Sequence, residues 1–120
     1  MKVRLTNDFH FESSHALVHL PESHPCYPLH GHSYTVTVEV TGDVDPSTGF
    51  LIDYAAIKAV VRPIIDLLDH RHLNDVEGLP LTTAEHIAAF LWHRIKPQLP
   101  SLSRITISET ASTKCIYEGE

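Results

Sequence analysis

His30 and His32 are separated only by Gly31. In a strand, residues two apart point to the same side, so this spacing puts two imidazoles on one face. Both can then reach one metal ion, and Gly31 removes bulk between them. The face continues as Tyr34 and Val36, which turns the pair inward. A third imidazole, His15, ends an earlier alternating segment on the face that carries Phe11 and Ser13. If the two segments are antiparallel neighbours, His15 stands beside His30 and His32. Three neutral imidazoles suit Zn²⁺, and three protein ligands leave one position for substrate or water. Cys26 precedes His30 by four residues and leaves two readings open. It closes a four-ligand structural site, or it stays free beside the metal, where positive charge favours a thiolate base. Asp69-His70 supplies a further acid–base unit, since a carboxylate fixes the tautomer of its histidine and raises its basicity. Glu109 extends an apolar strand face, where a carboxylate needs a partner.

These groups need elements to hold them. Odd positions from Val3 to His15 and even positions from His30 to Val40 alternate as two half-buried strands. Between them Leu20 to Leu29 carries Pro21, Pro25 and Pro28 and reads as a loop. Gly42 to Gly49 is a turn. Asp53 caps a helix whose apolar positions run from Ile57 to Leu68, and Pro63 is expected to kink or split it. Asp69 to Pro80 reads as a loop. A second helix follows, with capping-box spacing at Thr82 and Glu85, or Thr83 as the cap, and Pro97 ends it. Ile105, Ile107 and Glu109 share one side of a third strand, and a short fourth runs through Cys115 to Tyr117. The order β-β-α-α-β-β, with two helices on one face of an antiparallel sheet, is an α+β domain spanning residues 1–120. Four strands leave open edges, which a neighbouring subunit would cover.

The bulk properties agree. The chain has 120 residues, 42% apolar, with a formal charge of −6. No Lys/Arg run suggests nucleic acid or an anionic membrane as a partner. No apolar stretch reads as a signal or a membrane span, so cytoplasm is the expected location. The two cysteines, Cys26 and Cys115, are too few for a disulfide scaffold. Histidine is abundant, at 10 of 120. His10, His19, His24, His72, His86 and His93 receive no role and are expected at the surface.

The motifs, in order, are F-x-x-x-H (Phe11 to His15), C-x-x-x-H-G-H (Cys26 to His32) and G-x-x-x-D-Y (Gly49 to Tyr54). They continue as L-D-H-x-x-L-N (Leu68 to Asn74), T-x-E (Thr83 to Glu85) and S-E-T (Ser108 to Thr110). Together they resemble the family of 6-pyruvoyl- and 6-carboxy-tetrahydropterin synthases along nearly the whole chain. That resemblance implies zinc on His15, His30 and His32, with Cys26 as general base rather than ligand. It implies Asp69 and His70 as a second acid–base pair, Glu109 as pterin anchor, and Thr83 at the substrate. It also implies the tunnelling fold, in which subunit sheets join into a barrel, commonly a homohexamer with sites between subunits. The three-residue gap between Cys26 and His30, and the terminal C-I-Y-x-G-E, are similar to the carboxy-forming branch of queuosine biosynthesis. That branch implies a lyase acting on 7,8-dihydroneopterin triphosphate. Thr82 replaces a proline common in relatives, and His86 an asparagine. Lys2, Arg71 and Lys114 are unranked candidates for the triphosphate.

Overall fold

The computed structural model describes residues 1–120. Two fourteen-residue strands, β1 (Lys2–His15) and β2 (His30–Asp43), form its frame. Phe9, Phe11, Ser13 and His15 are buried on β1, and Tyr34, Val36, Val38 and Val40 on β2. This alternation is what a sheet with one covered face requires. The two strands pair antiparallel from Lys2↔Asp43 to His15↔His30. Three shorter strands, β3 (Arg71–His72), β4 (Leu102–Ser108) and β5 (Cys115–Tyr117), complete a sheet ordered β3-β1-β2-β4-β5. Only β3 is parallel to its neighbour.

Two helices cover the apolar face. Helix α1 (Tyr54–Ile65) buries Ile57, Val61, Ile64 and Ile65. Its first turn is capped by Asp53, whose Oδ1 accepts the Ala55 N–H at 2.8 Å. Helix α2 (Ala84–Ile95) buries Ile87, Ala88, Phe90, Leu91, Trp92 and Ile95. All 23 buried apolar side chains fall in one cluster, so helices and sheet share a single core. No helix is long and apolar enough to cross a membrane.

Two local expectations are corrected and one open alternative is decided. Pro63 does not split α1, which runs unbroken to Ile65. It lies in the last turn, where the missing N–H removes one bond and the chain is already leaving the helix. The stretch after Asp69 is not purely a loop. It holds β3 and a 3₁₀ turn at Leu73–Asp75, because the chain docks against the end of β1 at Ser13↔Arg71 and Ser14↔His72. The cap of α2 is Thr83, and Thr82 forms no capping box with Glu85. Thr83 Oγ1 accepts the His86 N–H at 3.4 Å and meets His86 Nδ1 at 2.9 Å. Thr82 is instead buried beneath the helix start.

Leu91→Ala should destabilise the protein by about 2–5 kcal/mol, through a cavity in the core. Asp53→Ala should cost only about 1 kcal/mol, through loss of a cap. Urea unfolding of both variants checks the ranking, and a smaller loss for Leu91→Ala would contradict the core assignment.

Candidate functional site

The last residue of β1 and the first and third of β2 converge. One ring nitrogen from each of His15, His30 and His32 lies within 4.8 Å of the other two. His15 is buried, while His30 and His32 are half-buried. Antiparallel pairing creates this meeting, because His15 is the cross-strand partner of His30 and Ser13 that of His32.

Two backbone carbonyls orient the rings. His15 Nδ1 lies 2.8 Å from the Thr82 carbonyl oxygen, and His30 Nδ1 lies 2.8 Å from that of Pro28. A carbonyl only accepts, so each Nδ1 carries the proton and donates it. Each neutral ring must then present a lone pair at Nε2. These two Nε2 atoms are 3.0 Å apart. Two lone pairs that close repel unless a proton or cation sits between them. Burial pushes the His15 pKa below the ordinary histidine value, the Thr82 hydrogen bond opposes this, and neighbouring His30 lowers it further. A depressed pKa favours the neutral, metal-binding form over the proton. Zn–N bonds of about 2.0–2.1 Å at tetrahedral angles set ligand nitrogens about 3.3 Å apart, so the donor set fits such an ion.

Other contacts fix the frame. Asn74 clamps the residue after His15 on both sides: its Oδ1 accepts the Ala16 N–H at 2.9 Å and its Nδ2 donates to the Ala16 carbonyl at 2.8 Å. Ser13 Oγ donates to the Leu68 carbonyl beside the Asp69-His70 turn. Tyr34 stacks on Phe11 with ring centroids 4.6 Å apart, and its buried hydroxyl has no protein partner.

The remaining candidates fall into place around this centre. Cys26 Sγ is not among the converging ligand atoms, and both cysteines are free thiols. The Cys26 carbonyl accepts the Leu17 N–H at 3.0 Å, which ties Cys26 to the chain two residues beyond His15. Glu109 follows the end of β4, with its carboxylate 3.6 Å from His32 Nε2. It opens into a cavity of about 360 Å³ that Ala84, Glu85, Lys114 and Cys115 also line. Thr83 stands just before this cavity wall, with its hydroxyl engaged in the cap of α2.

Asp69 and His70 are paired, with His70 Nδ1 3.1 Å from Asp69 Oδ1. The pair is stapled to β1 through both backbone groups of Glu12. Asp69 Oδ1 accepts the Glu12 N–H at 3.0 Å, and the His70 N–H donates to the Glu12 carbonyl at 2.7 Å. The Glu12 N–H, more than His70, holds the Asp69 pKa below its ordinary value. His70 takes a left-handed backbone with φ of 56°, a region that few non-glycine residues occupy, histidine more often than most. Its side chain is 78% exposed. It lines a polar cavity with Glu12, Ser14, Gly31 and Ser33, and His32 of the trio lines the same cavity. The trio shares its strand face with Phe11 and Tyr34, and His15 is buried. Within one chain, Asp69-His70 is tied to Glu12 and not to the trio.

Of the candidates for the triphosphate, Arg71 lines the cavity of His70 and Lys114 that of Glu109. Lys2 stands thirteen residues before His15 on β1, about 43 Å away at strand rise. His10, His19, His24, His86 and His93 are exposed, and His72 is half-buried with its Nδ1 3.1 Å from Ser14 Oγ. The carbonyls of Thr82 and Pro28 and the clamp of Asn74 were not read from the sequence as site groups. A carbonyl is present in every residue, so only the folded geometry singles one out.

A family model described as 6-pyruvoyl tetrahydropterin synthase matches residues 4–120. The chain is 34% identical to a 6-carboxy-5,6,7,8-tetrahydropterin synthase of Synechocystis sp., over 92% of this chain and 88% of that one. It is 36% identical to a putative 6-pyruvoyl tetrahydrobiopterin synthase of Caenorhabditis elegans, over 75% of this chain and 69% of that one. A solved structure of the Caenorhabditis elegans 6-pyruvoyl tetrahydropterin synthase superposes with a TM-score of 0.92 at 28% identity, covering 100% of this chain and 97% of that one. The five-stranded sheet with two covering helices is thus the tunnelling fold. With the match extending over nearly all its residues, the chain belongs to the 6-pyruvoyl tetrahydropterin synthase family.

Proposed function

We propose that this protein is a zinc-dependent lyase. It converts 7,8-dihydroneopterin triphosphate to 6-carboxy-5,6,7,8-tetrahydropterin, releasing acetaldehyde and triphosphate, in queuosine biosynthesis in the cytoplasm. The observation that carries the reading is the pair of facing Nε2 atoms, 3.0 Å apart, on rings whose Nδ1 protons are committed to carbonyls. That arrangement is strained without a cation and ordinary with one. The carboxy-forming branch is supported by the 34% identity to the Synechocystis carboxy-forming relative over 92% of this chain. The short gap between Cys26 and His30 supports the same branch.

His15, His30 and His32 would hold the zinc ion through Nε2. Bound there, zinc supplies a Lewis acid for the oxygens of the substrate side chain. Glu109, 3.6 Å from His32, would accept two N–H donors from one edge of the pterin ring, which fixes the ring beside the metal. Thr83 would contribute at the rim of the same cavity. Cys26, free of the ligand set, would remove a side-chain proton as thiolate. His70, oriented by Asp69, would return or accept another. Because His70 makes no hydrogen bond to the trio within one chain, that histidine would reach the substrate from a neighbouring copy. A homo-oligomer of joined sheets, in the hexameric arrangement, supplies such a neighbour and also covers the edges at β3 and β5.

Three outcomes are expected. Mass spectrometry of the zinc-loaded protein with 7,8-dihydroneopterin triphosphate should show 6-carboxy-tetrahydropterin and acetaldehyde; a pyruvoyl product would move the chain to the neighbouring branch. Cys26→Ala should keep its zinc and lose turnover by about 100- to 10,000-fold. A variant emptied of zinc by elemental analysis would instead make Cys26 a ligand. The third concerns pH. His15 is held neutral, with its pKa lowered in the folded state. Its contribution to stability is complete above about pH 6.5, the unfolded value, and is lost as pH falls through the folded value. The metal-free protein should therefore unfold at lower urea at pH 5 than at pH 7, and zinc should bind more weakly in the same direction. His15→Gln should flatten both slopes, and an unchanged urea slope in that variant would contradict the assignment.

A further inference from the structure

The loop between β1 and β2 contains a side-chain hydrogen bond that no proposed chemical step uses. His24 Nδ1 accepts the backbone N–H of Cys26 at 3.0 Å. The carbonyl of the same Cys26 accepts the Leu17 N–H at 3.0 Å. Both polar groups of the Cys26 backbone are therefore held, one by the strand end that carries His15 and one by His24. His24 is itself anchored. Its N–H donates to the Pro21 carbonyl at 2.8 Å, and its carbonyl accepts the Tyr27 N–H at 3.0 Å. Pro25, between His24 and Cys26, has no N–H and a fixed φ, which limits how the segment can rearrange.

The bond from a side-chain acceptor to the N–H two residues on is the one that asparagine and aspartate make in turns. Here an imidazole makes it. An N–H donor requires a lone pair at Nδ1, so His24 is neutral with its proton on Nε2. Losing this acceptor frees the Cys26 amide while leaving the Leu17 bond, so the residue can swivel about one remaining tether. Misplacing a proton-abstracting group by a fraction of an ångström affects the reaction far more than it affects the fold.

We propose that His24 is a positioning residue, which fixes the backbone of Cys26 and through it the direction of the thiol relative to His15, His30 and His32. It touches neither metal nor substrate. This rests on the reading of Cys26 as the general base, and the same bond would constrain the thiol whatever reaction it serves.

The test compares wild type, His24→Ala, His24→Asn and Cys26→Ala in the zinc-loaded protein. Turnover, KM and zinc content are measured together with hydrogen exchange of the Cys26 amide. His24→Ala should lower kcat about tenfold, the size of one lost hydrogen bond, with KM and zinc unchanged. Exchange at Cys26 should speed up by a similar factor. His24→Asn should restore both, because its Oδ1 can accept the same N–H. A wild-type kcat in His24→Ala, or a loss that His24→Asn does not restore, overturns the proposal. If Cys26→Ala turns over like wild type, the base reading falls. The exchange data then decide the positioning role alone, supporting it when protection is lost in His24→Ala and regained in His24→Asn, and overturning it when protection is equal in all three.

Discussion

The pairing of β1 with β2 holds one register over fourteen residue pairs, from Lys2↔Asp43 to His15↔His30. A slip of one residue would move every side chain of one strand to the other face. Phe9 and Phe11 would leave the core, and His15 would turn away from His30 and His32. The apolar face thus enforces the register that the three imidazoles need. Packing of Phe9, Phe11, Tyr34, Val36, Val38 and Val40 beneath the helices stabilises the sheet and, at its end, sets the distance between nitrogen atoms. The site sits where this zipper finishes, so its geometry inherits the precision of the whole strand pair.

Backbone groups then do what the three histidines cannot do for themselves. A neutral imidazole has two tautomers, and only one leaves Nε2 free. The Thr82 carbonyl selects it for His15 and the Pro28 carbonyl for His30. Thr82 is placed by the start of α2, and Pro28 by the proline-rich loop before β2. Two elements distant in sequence therefore tune the donor set of the strand ends, in the way outer-shell groups fix ligand orientation in metal sites. Asn74, from the 3₁₀ turn, adds a third tie at Ala16. The cluster is braced from the helix side, from the loop and from the sheet edge.

A second group is anchored separately. Asp69-His70 is tied to Glu12 and opens into a cavity that Ser14, Ser33 and His32 also line. The left-handed backbone of His70 and the two bonds that Asp69 and His70 make to Glu12 show that this placement is built rather than incidental. Strain of this kind persists where neighbouring contacts over-determine it. β3 and β5 are left as the edges of the sheet.

Much of this was legible in the amino-acid order. Period-two alternation placed β1 and β2, and with them the shared face of His30 and His32, because a pleated strand has only two sides. Antiparallel neighbours then put His15 next to them. The cap at Asp53 and the stripes of both helices followed from spacing as well. Other features had no local signature. Two-residue β3 is too short to show a period, and Pro63 acts differently in a last turn than in a helix middle. The choice between Thr82 and Thr83 as cap depended on which of them the core buried. Residue types and their spacing determined that three imidazoles, a thiol and two carboxylates would be available near two strand ends. The tertiary structure alone decided which carbonyls fix the tautomers, that the Cys26 thiol lies outside the cluster of imidazole nitrogens, and that Asp69-His70 is tied to Glu12 rather than to the trio. Those outcomes depend on distances between segments far apart in the chain, which only packing brings together.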